Sequence, residues 1–305
     1  MNWDDIEVIW QHTFDHALQV KPEEHPVLMS ETSLTPMANR IKMVQIMFET
    51  FNVPALSVCN EGILSLYAAG GHTTGVVVEL GDSHGRVVPV CEGRVQKQAI
   101  QISDIGGRDL TYYLQRLILE VGFAFGTNNE LHLVREIKET ICYVPVDLEK
   151  EMRVFASAPP PEAPYELPDG SIVDIGSIRP RVAEPLFDPN LAGSTDVGLH
   201  EMVLSSVMGF QPDRLLGNIV LSGGTGSMRG LRARLEKEVA AVAPDSTAVR
   251  VITPLDCKHS AWVGGSALAY LTSLLSSSSL QSSNITYVTR AEYEEHGPSI
   301  TQKLE

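Results

Sequence analysis

The stretch GVVVEL–GDSHG–RVVPVCEG, from Gly75 to Gly93, constrains this chain more than any other feature. Two β-rich runs are joined by a turn with glycine at both ends, so the pattern predicts a hairpin whose tip exposes backbone N–H groups. The segment NIVLSGGTGSMRGLRARLEKEV, opening at Asn218, repeats the idea with a different continuation: a strand, a glycine-rich loop and then a helix. Backbone amides in such turns hold phosphate oxygens, although an ordinary hairpin turn explains the first of them equally well. The second turn carries Gly224, Gly226 and Gly230, near the dinucleotide fingerprint but not matching it, and lacks the Gly-Lys-Ser/Thr ending of a phosphate-binding loop. Asp256 beyond the next strand stands where a ribose ligand is wanted, so patterning alone leaves a nucleotide-dependent oxidoreductase open.

The surrounding elements alternate between helix and strand. Asn2 is a candidate N-cap ahead of Asp4 and Asp5, with Trp3, Ile6, Ile9 and Trp10 at helical spacing. Val27 to Met29 predicts a short strand, and NRIKMVQIMFETF a helix with one apolar side. ISDIGGRDLTYYLQRLILE predicts a turn and a helix. NELHLVREIKETICYV predicts an amphipathic helix on Leu133, Ile137 and Ile141, and SAPPPEAPYELPDG a surface loop before a strand at SIVDIG. VRVITP predicts a strand, and HSAWVGGSALAYLTSLL a buried helix. A polar insertion at Ser276 to Ser279, Gln281 to Ser283 and Asn284 precedes the closing segment.

At 305 residues the chain has room for two domains, at roughly 100–200 residues each, and its 43% hydrophobic content supplies a core. The formal charge of -15 opposes polyanions, so no direct nucleic-acid binding is expected. The acidic opening does not read as a secretory leader and no run is long enough to span a bilayer, which predicts a soluble, intracellular protein. Cys59, Cys91, Cys142 and Cys257 form no CxxC pair and read as free thiols. His12 and His16 lie one helical turn apart, but Thr13 stands where a zinc protease needs glutamate, so the pair reads as a solvated helix face.

Ten segments in succession resemble actin: NWDDIEVIWQHTF, KPEEHPVL, NRIKMVQIMFETFNVPAL, LSLYAAG, TTGVVVELGD, GRDLTYYL, YELPDG, NIVLSGGT, AWVGGS and EYEEHGPSI. The resemblance to the actin and actin-related family implies an α/β, two-lobe, actin-like ATPase fold of the class that includes sugar kinases and Hsp70 chaperones (ribonuclease H-like). It places one lobe at 1–68 plus 260–305 and the other at 69–259, with 106–194 as an inserted subdomain. In that family the first phosphate hairpin and a metal-facing aspartate precede NWDD, so the first lobe is expected to be incomplete within this sequence. Weak ATP binding and poor filament formation are expected with it.

The resemblance further implies ATP or ADP with Mg²⁺ or Ca²⁺ as cofactor. By correspondence, Gly81, Asp82, Ser83 and His84 form the second phosphate hairpin, Gly107 lines the cleft, and Arg135, Lys138 and Glu139 reach the adenosine. Gly223, Gly224, Thr225 and Lys258 complete the cofactor set. Met228 stands where a tyrosine packs on adenine, Glu79 where an aspartate faces the metal, and Glu61 where a glutamine orients the attacking water. Partners implied are actin-like protomers or a multi-subunit complex, such as a chromatin-remodelling or cytoskeletal one. The implied location is the cytoplasmic cytoskeleton, with the nucleus as an alternative. Altered plug-loop residues Leu191 to Ser194 and Tyr287, in place of a tryptophan, imply weakened family contacts.

Overall fold

The structure is a computed structural model that describes residues 2–122, 125, 130–158, 160–210, 212–244, 247–275 and 286–304. It divides into a smaller unit, Met1–Tyr67 with Ala261–Glu305, and a larger one, Ala68–Ser260.

The smaller unit opens with α1 (Trp3–His12), capped by the Asn2 side chain, which accepts from the Asp4 N–H at 3.2 Å. The helix runs on through π-helical turns over Thr13–Leu18 and stops at Gln19, whose φ of 55° is left-handed. Trp10 and Phe14 both pack on Phe51, at centroid distances of 6.5 and 5.3 Å. Ile9, expected on the same stripe, instead lies 61% exposed beside Val8. β1 (Val27–Glu31) is followed by α2 (Met37–Gln45) with a π-helical extension, Ile46–Thr50, then β2 (Ala55–Asn60) and α3 (Glu61–Ala68). The sheet has the order β1-β2-β11, β1 parallel and β11 (Val288–Thr289) antiparallel to β2. Val44, Met47, Phe48, Val53 and Leu56 form its core.

The larger unit is built on a six-stranded sheet. β3 (Gly75–Leu80) pairs antiparallel with β4 (Gly85–Cys91), which also carries β5 (Arg94–Val95) and β6 (Gln101–Ser103). All six residues of β3 are buried, because the strand is covered on both faces, and this explains a sequence run without polar alternation. α4 (Gly107–Glu120) and α5 (Leu131–Ile141) contribute Leu110, Leu114, Ile118, Val134 and Ile137 to the core. Each such side chain contributes about 1.5–3 kcal/mol when fully buried. α6 (Leu148–Ser157), the two-stranded sheet of β7 (Tyr165–Glu166) and β8 (Ile172–Val173), α7 (Leu199–Val207) and α8 (Pro212–Leu216) follow. β9 (Ile219–Ser222) then runs parallel to β3 on one side and to β10 (Val251–Ile252) on the other, with α9 (Leu231–Val242) between them in sequence.

Three elements differ from the sequence-based reading. In α5 the fully buried stripe is Val134, Ile137 and Lys138, while Leu133 and Ile141 are only partly buried. The stripe is rotated because Lys138 turns inward to a polar partner. The SIVDIG strand ends after Val173, where Gly176–Arg181 winds into a 3₁₀ turn. The helix expected to be buried, α10 (Ser260–Leu275), leaves Trp262 at 71% and Tyr270 at 63% exposure, so only part of its surface is covered. The serine-rich insertion lies outside the described residues. The C-terminal α11 (Arg290–His296) starts with a capping box in which Thr289 and Glu292 satisfy each other's backbone N–H groups.

Candidate functional site

Three backbone turns of the larger unit interlock at the C-terminal end of β3. The β3–β4 turn closes through the Gly81 N–H, which donates to the His84 carbonyl at 3.3 Å. The start of α4 docks on it: the Gly107 and Arg108 N–H groups donate to the carbonyls of Gly81 and Asp82 at 2.9 and 2.8 Å. The glycine pair is required by this approach. A Cβ on Gly106 would lie 2.5 Å from the Asp82 carbonyl oxygen, and one on Gly107 would lie 2.5 Å from Thr225 Oγ1. The turn after β9 closes the set. Gly223, at a φ of 89°, donates its N–H to the Cys257 carbonyl at 2.9 Å, and the Thr225 hydroxyl donates to the Gly81 carbonyl at 3.0 Å. At Gly224, by contrast, a Cβ would meet nothing nearer than Lys258 Cγ at 4.0 Å, so this backbone is open to a ligand.

The side chains around these turns are held in different ways. Lys138 is buried; its ammonium donates to Thr111 Oγ1 at 2.8 Å and to the Gly107 carbonyl, tying α5 to the first turn of α4. Burial pushes its pKa down, with the Glu139 carboxylate acting in the opposite sense. Arg135 and Glu139 pair with each other at 2.8 Å on the next face of α5. A cavity of about 500 Å³ is bordered by Arg135, Lys138, Glu139, Gly224, Thr225, Met228 and Lys258, together with Arg179 and Arg229. That size is in the range of small-molecule sites, roughly 300–1,000 Å³.

The structure therefore gathers seven of the sequence-derived positions around one cavity, with Gly81, Gly107 and Gly223 forming the adjoining backbone. Asp82, Ser83 and His84 are exposed at the hairpin tip. There Asp82 accepts from Arg108 Nε at 3.0 Å and His84 lies 3.8 Å from Asp104. Glu79 is buried in β3, in register with Arg86 on β4 and Ser222 on β9. Glu61 opens α3 in the smaller unit. Asp256, the ribose candidate of the oxidoreductase reading, accepts instead from the His259 N–H at 3.1 Å and meets its ring at 3.0 Å. His12 and His16 stack on one another at 4.6 Å. Among the described residues no group of three or more His, Cys, Asp or Glu side chains converges as a metal site, and no helix is long and apolar enough to cross a membrane.

Sequence reasoning missed Thr111, Arg179 and Arg229. Arg229 adjoins Met228 in the glycine-rich turn and was within reach of inspection. Thr111 and Arg179 enter only through tertiary packing.

The actin family model matches residues 1–304. An actin-like protein of Neurospora crassa is 44% identical over 276 residues, which cover 88% of this chain and 72% of that protein. The mixed α/β units, the interlocked glycine turns and these matches together make the chain a member of the actin family, with an actin-like fold.

Proposed function

We propose that this chain is an actin-like cytoskeletal or scaffold protein whose larger unit binds an adenine nucleotide, ATP or ADP, with a divalent cation. The observation that carries the reading is the open backbone at Gly224 beside Lys258, within a cavity bordered by further cations. Phosphate suits such a place, because glycine lets the backbone approach and lysine supplies charge without fixed geometry. Glu139 is the acceptor available to ribose hydroxyls, and Met228, partly buried against the core, offers an apolar wall to the base.

The fit to a cation is of the kind that magnesium accepts: one or two carboxylates plus phosphate oxygens and water, with no all-protein cage. Glu79 is the protein ligand proposed, and a bound Mg²⁺ or Ca²⁺ would neutralise phosphate charge. Glu61 is the residue proposed to take a proton from the attacking water, a role that phosphate release by Glu61→Ala would test. Calorimetry with MgATP tests the pocket itself. Binding that weakens about tenfold in Lys258→Ala is expected, as for loss of one charge-assisted contact. Binding unchanged in that variant would refute the assignment.

A second reading makes the chain a non-polymerising actin-related subunit of a larger complex. Exposed apolar side chains favour it, notably Trp262 and Tyr270 on α10 and Val8 and Ile9 on α1. Sedimentation of the purified chain with ATP and magnesium is expected to show few long filaments, and abundant long filaments would count against this reading.

A further inference from the structure

His12 and His16 belong to the smaller unit and take no part in the nucleotide cavity of the larger one. His12 ends α1, and His16 lies one turn further on, in the π-helical stretch Thr13–Leu18. Both are exposed, and their rings stack with centroids 4.6 Å apart and planes inclined by 15°. Among the described residues neither imidazole makes a hydrogen bond or ion pair, so the ring nitrogens are open to a ligand. The polar side chains beside them are instead engaged within the helix. Gln11 Nε2 donates to Asp15 Oδ2 at 2.6 Å, and the Thr13 hydroxyl donates to the Ile9 carbonyl at 2.8 Å.

We infer that His12 and His16 together chelate one divalent transition-metal ion of the class that prefers imidazole, Zn²⁺ or Ni²⁺. Residues four apart are neighbours on one helix face, and a neutral imidazole offers one lone pair to a metal. A Zn–N bond of about 2.0–2.1 Å and a tetrahedral angle set two bound nitrogens about 3.3 Å apart. Rings already stacked at 4.6 Å reach that spacing by small side-chain rotations, with no movement of the backbone. Imidazole distinguishes this class from Mg²⁺ and Ca²⁺, which take oxygen ligands, so the ion is not the one proposed to accompany a nucleotide.

The chain supplies two ligands, since no third His, Cys, Asp or Glu joins the pair among the described residues, and water fills the other positions. Thr13 stands where a zinc protease carries its glutamate base, so the site binds an ion without hydrolytic chemistry. Binding also has a local mechanical consequence. The ion clips the last residue of α1 to the π-helical stretch, and the backbone between them then opens less often.

The test is calorimetry of the full chain with ZnCl₂ in excess MgCl₂, on the wild type, His12→Ala, His16→Ala and a double variant, His16→Ala with Leu18→His. The double variant keeps the number of histidines but moves the second off the shared face, at a position that is already 52% exposed. Circular dichroism verifies that each variant is folded. The wild type is expected to bind Zn²⁺ despite the magnesium, and all three variants to weaken that binding about tenfold or more, because the second imidazole acts at the effective concentration that the helix sets. Zn²⁺ should also slow hydrogen exchange across Thr13–Leu18 in the wild type alone. Displacement of Zn²⁺ by excess MgCl₂, unchanged affinity in either single variant, or wild-type affinity in the double variant would overturn the inference. So would Zn²⁺ binding that leaves exchange across Thr13–Leu18 unaltered, since the ion would then be held elsewhere.

Discussion

Arg234→Ala is the perturbation whose consequence can be worked most fully. Arg234 on α9 is 8% exposed, as is Glu184, its partner at 2.9 and 3.3 Å. Its Nε also reaches Glu238 at 2.7 Å, and its guanidinium stacks on Phe187 at 4.6 Å. Burial already pushes the Glu184 pKa above the ordinary carboxylate value, opposed by the hydrogen bond and charge of Arg234. Removing the arginine leaves a buried carboxylate without its counter-charge, at a cost of about 3–5 kcal/mol. In urea, with a slope of about 3 kcal/mol per molar, the unfolding midpoint falls by roughly 1–1.7 M.

The sign of the pH dependence follows from the same pair. A carboxyl whose folded pKa is raised contributes stability at low pH and loses it as pH rises through that folded value. Without Arg234 the folded pKa rises further, so the penalty should be smaller at about pH 5 than at about pH 8. Glu184→Leu combined with Arg234→Met should recover most of the loss, because an apolar pair needs no counter-charge. Urea unfolding followed by far-ultraviolet circular dichroism measures all three variants. A single-mutant loss under about 1 kcal/mol, or a loss that is the same at both pH values, would refute the reasoning.

Two other outcomes are expected. Gly223→Ala should lower stability by about 2 kcal/mol or more and abolish nucleotide binding, since its Cβ would lie 2.3 Å from the Leu80 carbonyl oxygen at a φ of 89°; a variant with wild-type melting would contradict this. Burial pushes the thiols of Cys59 and Cys257 up to about 11 and that of Cys142 up to about 12, and raises that of Cys91 too, but Cys91 alone of the four is not buried, so it should react first with a thiol reagent at neutral pH, and mass spectrometry that finds Cys142 labelled first would contradict the burial pattern.

Much of the fold was legible because local chemistry and tertiary demand coincide in several elements. Asn2 caps α1 as its type and position suggest, and GVVVEL reads as a strand because every position in it is enclosed. The glycine turns were legible as exceptions to ordinary backbone, although not for the reason first apparent. Gly106 and Gly223 are needed so that backbone can meet backbone and Gly107 so that it can meet the Thr225 hydroxyl, whereas Gly224 is left open. The burial of Lys138 was not legible, because its partners Thr111 and Gly107 are 27 and 31 residues away in sequence. The exposed Trp262 and Tyr270 misled in the other direction, since an apolar helix says nothing of which of its faces the chain covers.

Hydrogen–deuterium exchange with and without MgATP tests the central claim most directly. The account predicts slowed exchange at Gly81 to His84, at Gly107 and at Gly223 to Met228, with the MgATP concentration needed for half of the change raised about tenfold in Lys258→Ala. Protection confined to other segments under saturating MgATP, or none at all, would contradict the assignment of the nucleotide to this cavity.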